Sequence, residues 1–146
     1  MAKPSKRPVS GKPPVATEEA NIDSPRKLMH GAVPDVTHAI GGTPIVRLSK
    51  VATHVRSSIY VKCEYLNPGG SMKDRIALNI IRDAEKKGLL KPGGVIIEAT
   101  SGNTGAGLAM VAALRGYQCI FVMPDKMSAE KVANLRSLGA KVVLCP

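Results

Sequence analysis

The sequence has very few aromatic residues: no tryptophan, one phenylalanine and three tyrosines in 146 residues. Proteins that bind single-stranded nucleic acid stack bases on aromatic side chains, so the chain lacks the surface for that mode of binding. Its net charge of +10 would attract nucleic acid. The lysines and arginines are scattered along the chain, however, as on a solvated surface. We therefore expect no nucleic-acid partner, and keep a basic nucleic-acid binder only as an alternative.

Long apolar runs and closely spaced cysteines are also missing. The apolar stretches are broken by Gly, Arg or Pro, which excludes a membrane-spanning helix, and the N-terminus has no apolar segment typical of secretory signals. Cys63, Cys119 and Cys145 lie in apolar stretches without CxxC spacing. This pattern indicates buried, reduced thiols and no metal site. We expect a cytoplasmic protein without a membrane partner.

Two regions differ in composition. Residues 1–35 are rich in Pro, Lys, Ser and Ala, and such a segment buries too little surface to offset its ordering entropy. We predict a mobile tail there and a folded region over residues 36–146. Because the chain ends on an apolar strand followed by Pro146, we expect residues 36–146 to be the N-terminal portion of a truncated domain.

From residue 36 onward, short strands alternate with helices. TPIVRLS and SIYVKCEY are typical of strands. SMKDRIALNIIRDAEKKGLL predicts an amphipathic helix with Ser71 as its cap. We place Ile76, Ile80 and Ala84 on its apolar face, with Ala77 and Ile81 beside them. The strands GGVIIEA, QCIFVMP and AKVVLCP then alternate with the helices SGNTGAGLAMVAALRGY and SAEKVANLRSLG. Strands that are apolar throughout predict an α/β fold, in which a parallel sheet has helices on both faces.

The stretch NPGGSMKDR places Lys73 where a helix is expected to begin. A cation at this point faces the positive end of the helix dipole and gains nothing from it. The same field and the nearby Arg75 favour the neutral amine that a nucleophilic or Schiff-base lysine requires. An ordinary surface lysine in the first turn of a helix is the other interpretation, and this argument leaves both open.

The stretch EATSGNTGAGLA leads from the end of a strand directly into a helix. Free backbone N–H groups at a helix start form an anion site. Polar side chains in the same loop are Thr100, Ser101, Asn103 and Thr104. Gly102 and Gly105 would let a ligand approach the backbone closely. Because neither GxxxxGK[ST] nor a correctly spaced GxGxxG is present, the predicted ligand is a small carboxylate rather than a nucleotide phosphate.

Together the two loops resemble those of the fold-type II pyridoxal-phosphate-dependent enzymes, the family of cystathionine β-synthase and cysteine synthase. The resemblance runs from IGGTPIVRL at Ile40 to the end of the chain, and includes GLLKPGG and MPDKMSAEKVANLRSLGAKVV. It implies a tryptophan synthase β-subunit-like fold with pyridoxal 5′-phosphate as cofactor. It also implies small amino-acid substrates and a homodimer of the full-length protein.

The resemblance further implies roles for the matching residues. Lys73 would hold the cofactor covalently and take the substrate Cα proton, while Asn103 would hydrogen-bond the cofactor 3′-oxygen. The residues that would bind the substrate α-carboxylate are Thr100, Ser101, Gly102, Asn103 and Thr104. In this interpretation Gly69 and Gly70 make room for the cofactor ring. The family's loop for the cofactor phosphate and its partner for the ring nitrogen do not occur before Pro146.

The implied reaction is β-replacement, in which a group leaves the substrate β-carbon and a thiol or sulfide adds there. MPDKMSAEK, with Lys126 and Lys131, resembles the cystathionine β-synthase version more closely. We therefore expect serine to condense with homocysteine to cystathionine, in transsulfuration and cysteine biosynthesis. One alternative is a cysteine synthase using O-acetylserine and sulfide, and a second is a non-catalytic truncated fragment. No cysteine precedes Cys63, so we predict no haem of the kind that animal cystathionine β-synthases carry.

Overall fold

The computed structural model describes residues 28–100 and 102–146. Its elements, in chain order, are a 3-10 turn at Val36–Ala39, β1 (Ile45–Arg47), β2 (Tyr60–Lys62), a second 3-10 turn at Glu64–Leu66, α1 (Lys73–Lys86), β3 (Val95–Ala99), α2 (Asn103–Arg115), β4 (Gln118–Pro124), α3 (Ala129–Ser137) and β5 (Lys141–Cys145). Most of the predicted tail, residues 1–35, lies outside the described residues. Among the described helices, none is both long and apolar enough to cross a lipid bilayer.

The strands form two sheets. β3, β4 and β5 are parallel in that order, with Ile97 opposite Ile120 and Val122 opposite Val143. The helices α2 and α3 make the crossovers between them, which confirms the predicted α/β fold with a parallel sheet. β1 and β2 form a separate antiparallel pair. The loop that follows β3 therefore lies at the carboxyl end of a parallel sheet, where ligands of open α/β proteins bind.

The core lies on one face of the parallel sheet. Phe121 and Met123 of β4 are fully buried there, packed with Ile81 of α1, Leu108 of α2 and Leu135 of α3. Of the described helices, α2 and α3 pack against the strands of this sheet, and α1 packs against α2, whereas the sequence predicts helices on both faces. The other face is apolar but open to solvent, as its exposed members show: Val95, Ile97 and Val143.

Helix α1 packs against α2 through small residues. Gly107 of α2 is buried at the contact, and a Cβ there would lie 3.0 Å from the Cβ of Ala77 and 3.3 Å from the backbone oxygen of Lys73. The buried stripe of α1 includes Ala77 and Ile81. Ile76 and Ile80 are exposed, so their predicted place on the buried face is wrong, whereas Ala77 and Ile81, predicted beside them, are buried there. This packing fixes the first turn of α1 beside the first turns of α2.

Candidate active site

A tight turn leads into the helix that begins at Lys73. The backbone N–H of Gly70 donates to the carbonyl of Asn67 over 2.8 Å, and Gly70 has a φ of 71°, a conformation that glycine adopts readily. The hydroxyl oxygen of Ser71 accepts from the backbone N–H of Lys73 over 3.2 Å. The residue that directly precedes the helix is Met72, which makes no side-chain cap hydrogen bond. Ser71 therefore bonds to the helix start from one position before the N-cap, and the predicted N-cap position is wrong by one residue. The turn places Lys73 as the first residue of α1.

Asp74, the next residue, holds the turn from inside. Its side chain is fully buried, and Oδ2 accepts from the backbone N–H of Gly69 over 2.5 Å. Within the described chain, Oδ1 has no hydrogen-bond partner. Burial raises the pKa of the Asp74 carboxyl, and the Gly69 bond opposes that shift. A Cβ on residue 69 would overlap this carboxyl group. The prediction that Gly69 makes room for the cofactor ring is wrong, because the space is taken by Asp74.

Glu64 lies at the centre of a hydrogen-bond network below the turn. Its two carboxylate oxygens accept from Nε and a terminal nitrogen of Arg75 over 2.9 and 3.0 Å. They also accept from the Thr43 hydroxyl over 2.6 Å and the Asn67 amide over 3.0 Å. The hydrogen bonds from Arg75, followed by that from Thr43, lower the pKa of the Glu64 carboxyl to about 2. Glu64 is therefore an anion at neutral pH.

Lys73 differs from its polar neighbours in having a free head group. In the described part of the chain, Asn67, Ser71, Asp74 and Arg75 all make side-chain hydrogen bonds, whereas the Lys73 amine makes none. From the sequence, we expect the positive charge of Arg75 to act on the Lys73 amine. The structure pairs that guanidinium with Glu64 instead. The turn thus presents one amine that is not engaged by the described protein groups.

Thr100 organises the second loop. Its hydroxyl oxygen accepts from the backbone N–H of Gly105 over 3.1 Å and from that of Gly102 over 3.4 Å. A Cβ on residue 105 would overlap the Thr100 methyl group. Gly105 is thus needed for packing against Thr100, and its predicted role in ligand approach is wrong. Because the hydroxyl oxygen accepts both bonds, its proton remains available for donation.

The start of α2 leaves donors available. The N–H of Ala106 donates to the carbonyl of Gly102 over 3.3 Å, but no described residue accepts from the N–H groups of Asn103 and Thr104. The Asn103 side chain is exposed, and a Cβ on residue 102 would meet no atom within 4 Å. Gly102 therefore borders open space. Ser101, the remaining residue of the predicted carboxylate loop, lies outside the described residues.

The two loops meet through the packing of their helices. The backbone of Lys73 lies against Gly107, which follows Asn103 by one helical turn, about 6 Å along the axis. A cavity of about 50 Å³ separates the start of α2 from α3 and is lined in part by Asn103 and Lys131. A free amine, an exposed amide and unpaired N–H groups therefore occupy neighbouring helix starts. An amine suits an aldehyde and an amide donor suits a ring oxygen, so these residues fit pyridoxal phosphate.

The comparison with known protein families identifies the chain. The family described as "Pyridoxal-phosphate dependent enzyme" matches residues 36–146. The chain belongs to this family. The predicted family, its fold and its cofactor, pyridoxal 5′-phosphate, are thereby confirmed. The role of each site residue stays a prediction.

Similar proteins in this family carry several names. Cystathionine beta-synthase of Apis mellifera is 60% identical over 116 residues, which cover 78% of this chain and 23% of the relative. Cysteine synthase of Staphylococcus aureus (strain N315) is 53% identical over 114 residues, covering 78% of this chain and 37% of the relative. The crystal structure of O-ureido-L-serine synthase matches with a TM-score of 0.76 and 53% identity, covering 79% of this chain and 36% of that one. The chain spans less than two fifths of each protein.

Proposed function

We propose that the chain supplies the lysine-bearing part of a pyridoxal-phosphate site for β-replacement on a small amino acid. The free amine of Lys73, held at a helix start that packs against α2, is the observation that carries this proposal. When bound, pyridoxal phosphate supplies the electron sink for chemistry at the substrate Cα, and the protein binds and orients the reactants.

Lys73 has two roles in this proposal. Its amine would hold the cofactor at the aldehyde group, and the same amine would take the proton from the substrate Cα. Asn103 would donate its side-chain amide to the cofactor 3′-oxygen. The exposed position of Asn103 and its proximity to the Lys73 helix along the α1–α2 contact support this assignment.

The loop from Thr100 to Thr104 binds the substrate α-carboxylate. The N–H groups of Asn103 and Thr104, from which no described residue accepts, lie at the positive end of the helix dipole, which favours an anion. Thr100 can donate its hydroxyl proton, because Gly102 and Gly105 already bond to its oxygen. Thr104 adds a hydroxyl and Gly102 leaves access, while the role of Ser101 rests on the family resemblance alone.

We further propose serine and homocysteine as substrates and cystathionine as product. The 60% identity to a cystathionine beta-synthase supports this choice, as does Lys131, which lines the cavity beside Asn103. The alternative is a cysteine synthase that uses O-acetylserine and sulfide, and the 53% identity to a cysteine synthase supports it. For the full-length protein we propose a cytoplasmic homodimer.

Borohydride reduction tests the assignment of Lys73. The full-length protein is incubated with pyridoxal phosphate and reduced, and the modified peptide is mapped. We expect the label on Lys73 and none in Lys73→Ala. Lys87→Ala is the matched control, because Lys87 lies just past the far end of α1 and pairs with Asp83. A label on a different side chain would overturn the proposal. Parallel assays of serine with homocysteine and O-acetylserine with sulfide then decide the substrate.

A further inference from the structure

We propose that Glu64 is a positioning residue for Lys73. The Glu64 carboxylate clamps both ends of the turn that carries the lysine. Asn67 opens this turn and Arg75 follows Lys73 in the first turn of α1, and both bond to Glu64. We call Glu64, Asn67, Arg75 and Thr43 the Glu64 clamp. The inference rests on the proposed function of Lys73 and adds a residue to it.

The Arg75 side of the clamp fixes the start of α1. Arg75 uses two nitrogens on the two oxygens of Glu64, at 2.9 and 3.0 Å. This paired arrangement specifies the orientation of both side chains as well as their separation. Because Arg75 lies two residues beyond Lys73 on a rigid helix, fixing its side chain limits how far the first turn of α1 can rotate or slide.

The Asn67 side of the clamp fixes the entry to the turn. The amide nitrogen of Asn67 donates to Oε2 of Glu64 over 3.0 Å and to the Glu64 carbonyl over 2.8 Å. Its amide oxygen accepts from the N–H of Gly41 over 2.8 Å. Asn67 is buried, so these bonds have little competition from water. Its own carbonyl then starts the turn by accepting from Gly70.

The carboxylate of Glu64 is fully used in the clamp. One oxygen accepts from Thr43 and Arg75, and the other accepts from Asn67 and Arg75, while the side chain is 22% exposed. All four contacts require an acceptor, and only an ionised carboxylate offers two acceptor oxygens. In Glu64→Gln, an amide N–H₂ would face donor groups on one side, so that side of the clamp would open.

Opening the clamp is expected to move the Lys73 amine. Lys73 itself has no side-chain anchor among the described residues, so its position depends on the turn and on α1. A misplacement of about 1 Å by a distant mutation can cost on the order of 100-fold in rate. The attack of the amine on the cofactor aldehyde should therefore slow even when the domain stays folded.

The test compares Glu64→Gln with Glu85→Gln in the full-length protein. Glu85 also pairs with an arginine, Arg115, and accepts from Tyr117 over 2.9 Å, but at the far end of the same helix. It lies about 18 Å along the axis from Lys73. We expect Glu64→Gln to form the borohydride-trapped adduct at Lys73 at least about tenfold more slowly, with an altered cofactor absorbance band. Glu85→Gln should match the wild type in both measurements.

Equal trapping rates and spectra in Glu64→Gln and Glu85→Gln, with equal near-UV circular dichroism, would overturn the clamp. If Glu64→Gln fails to fold, Thr43→Val is the deciding variant, because it removes one of the four donors to Glu64. We expect Thr43→Val to slow borohydride trapping at Lys73 by a smaller factor. A wild-type trapping rate in this variant would overturn the inference. If the wild type itself traps the cofactor on another side chain, the proposed function falls together with the clamp. Trapping at Lys73 with an unchanged rate in the variants removes the clamp alone.

Discussion

The backbone oxygen of Lys73 lies directly against Gly107, where α1 packs against α2. A Cβ on residue 107 would be 3.3 Å from that oxygen and 3.0 Å from the Cβ of Ala77. Gly107 has an ordinary helical backbone conformation. Glycine is needed here because a side chain would prevent the close approach of α1. This contact helps to hold the helix start that carries Lys73 against α2, the helix that follows the proposed carboxylate loop.

Gly107→Ala should separate the two helices. Alanine favours a helix by about 1 kcal/mol over glycine, but overpacking a core contact costs about 1–3 kcal/mol. The backbone oxygen and the Ala77 methyl group cannot rotate away, so we expect net destabilisation. Urea unfolding measures the change, and borohydride trapping at Lys73 should slow in the folded variant. A gain in stability would contradict the geometry.

Gly102→Ala is the matched change in open space. A Cβ there meets no atom within 4 Å, and the backbone φ of −166° is extended, so alanine can adopt it. We expect a stability change within about 0.5 kcal/mol. The added methyl group would nevertheless obstruct the carboxylate loop, so L-serine should perturb the absorbance of the bound cofactor only at higher concentration. Unchanged serine affinity would remove Gly102 from the proposed site.

The buried Asp74 carboxyl should make stability fall as pH rises. Its pKa is raised above the ordinary 3.8 by burial, so the unfolded chain releases the proton at lower pH than the folded one. Protonated Asp74 therefore stabilises the fold below pH 3.8, and this contribution is lost as the pH rises through the folded pKa. Asp74→Asn keeps an acceptor for the N–H of Gly69 but cannot titrate. As the pH rises from 3.8 through the folded pKa of Asp74, urea unfolding should show the wild type losing stability relative to Asp74→Asn. The exposed Asp83→Asn is the control.

Glu64 should make the stability of the fold rise with pH, the opposite of the effect of Asp74. Its pKa falls from 4.5 to about 2 in the folded protein, so the ionised carboxylate stabilises the fold above pH 4.5. That contribution is lost as the pH falls from 4.5 towards 2, because the unfolded chain takes up the proton first. Urea titrations at pH 7 and pH 3 should show the stability advantage of the wild type over Glu64→Gln shrinking. An advantage that is the same at both values would contradict an ion-paired Glu64.

Local sequence patterns predict the parts of this structure that depend on neighbours in the chain. Ser71 is predicted to bond to the helix start, and it does so from one residue before the N-cap. The strand–loop–helix around Thr100 is predicted from its small polar residues. The resemblance of the two loops to a known family predicts the cofactor. Each of these signals involves residues within a few positions of one another.

The Glu64 clamp could not be predicted in that way. Arg75 lies 11 positions from Glu64, and it lies 32 positions from Thr43, and no helix or strand periodicity relates such separations. Gly69 and Gly105 were misassigned for the same reason, since a glycine that makes room for a ligand and one that makes room for a side chain look identical in sequence. Likewise, Ile76 and Ala77 are both apolar, and only the position of α2 decides which is buried.

The uncovered face of the parallel sheet has a practical consequence for anyone handling the purified 146-residue polypeptide. Ile97 is 66% exposed there, beside Val95 on an outer strand. Within the described chain, this apolar surface adjoins a strand edge that pairs with no other strand, and such a surface promotes self-association. The fluorescence of a hydrophobic dye and the turbidity of the solution should both rise with the concentration of the polypeptide. Ile97→Lys should prevent the rise in turbidity without changing the core on the helix-covered face of the sheet.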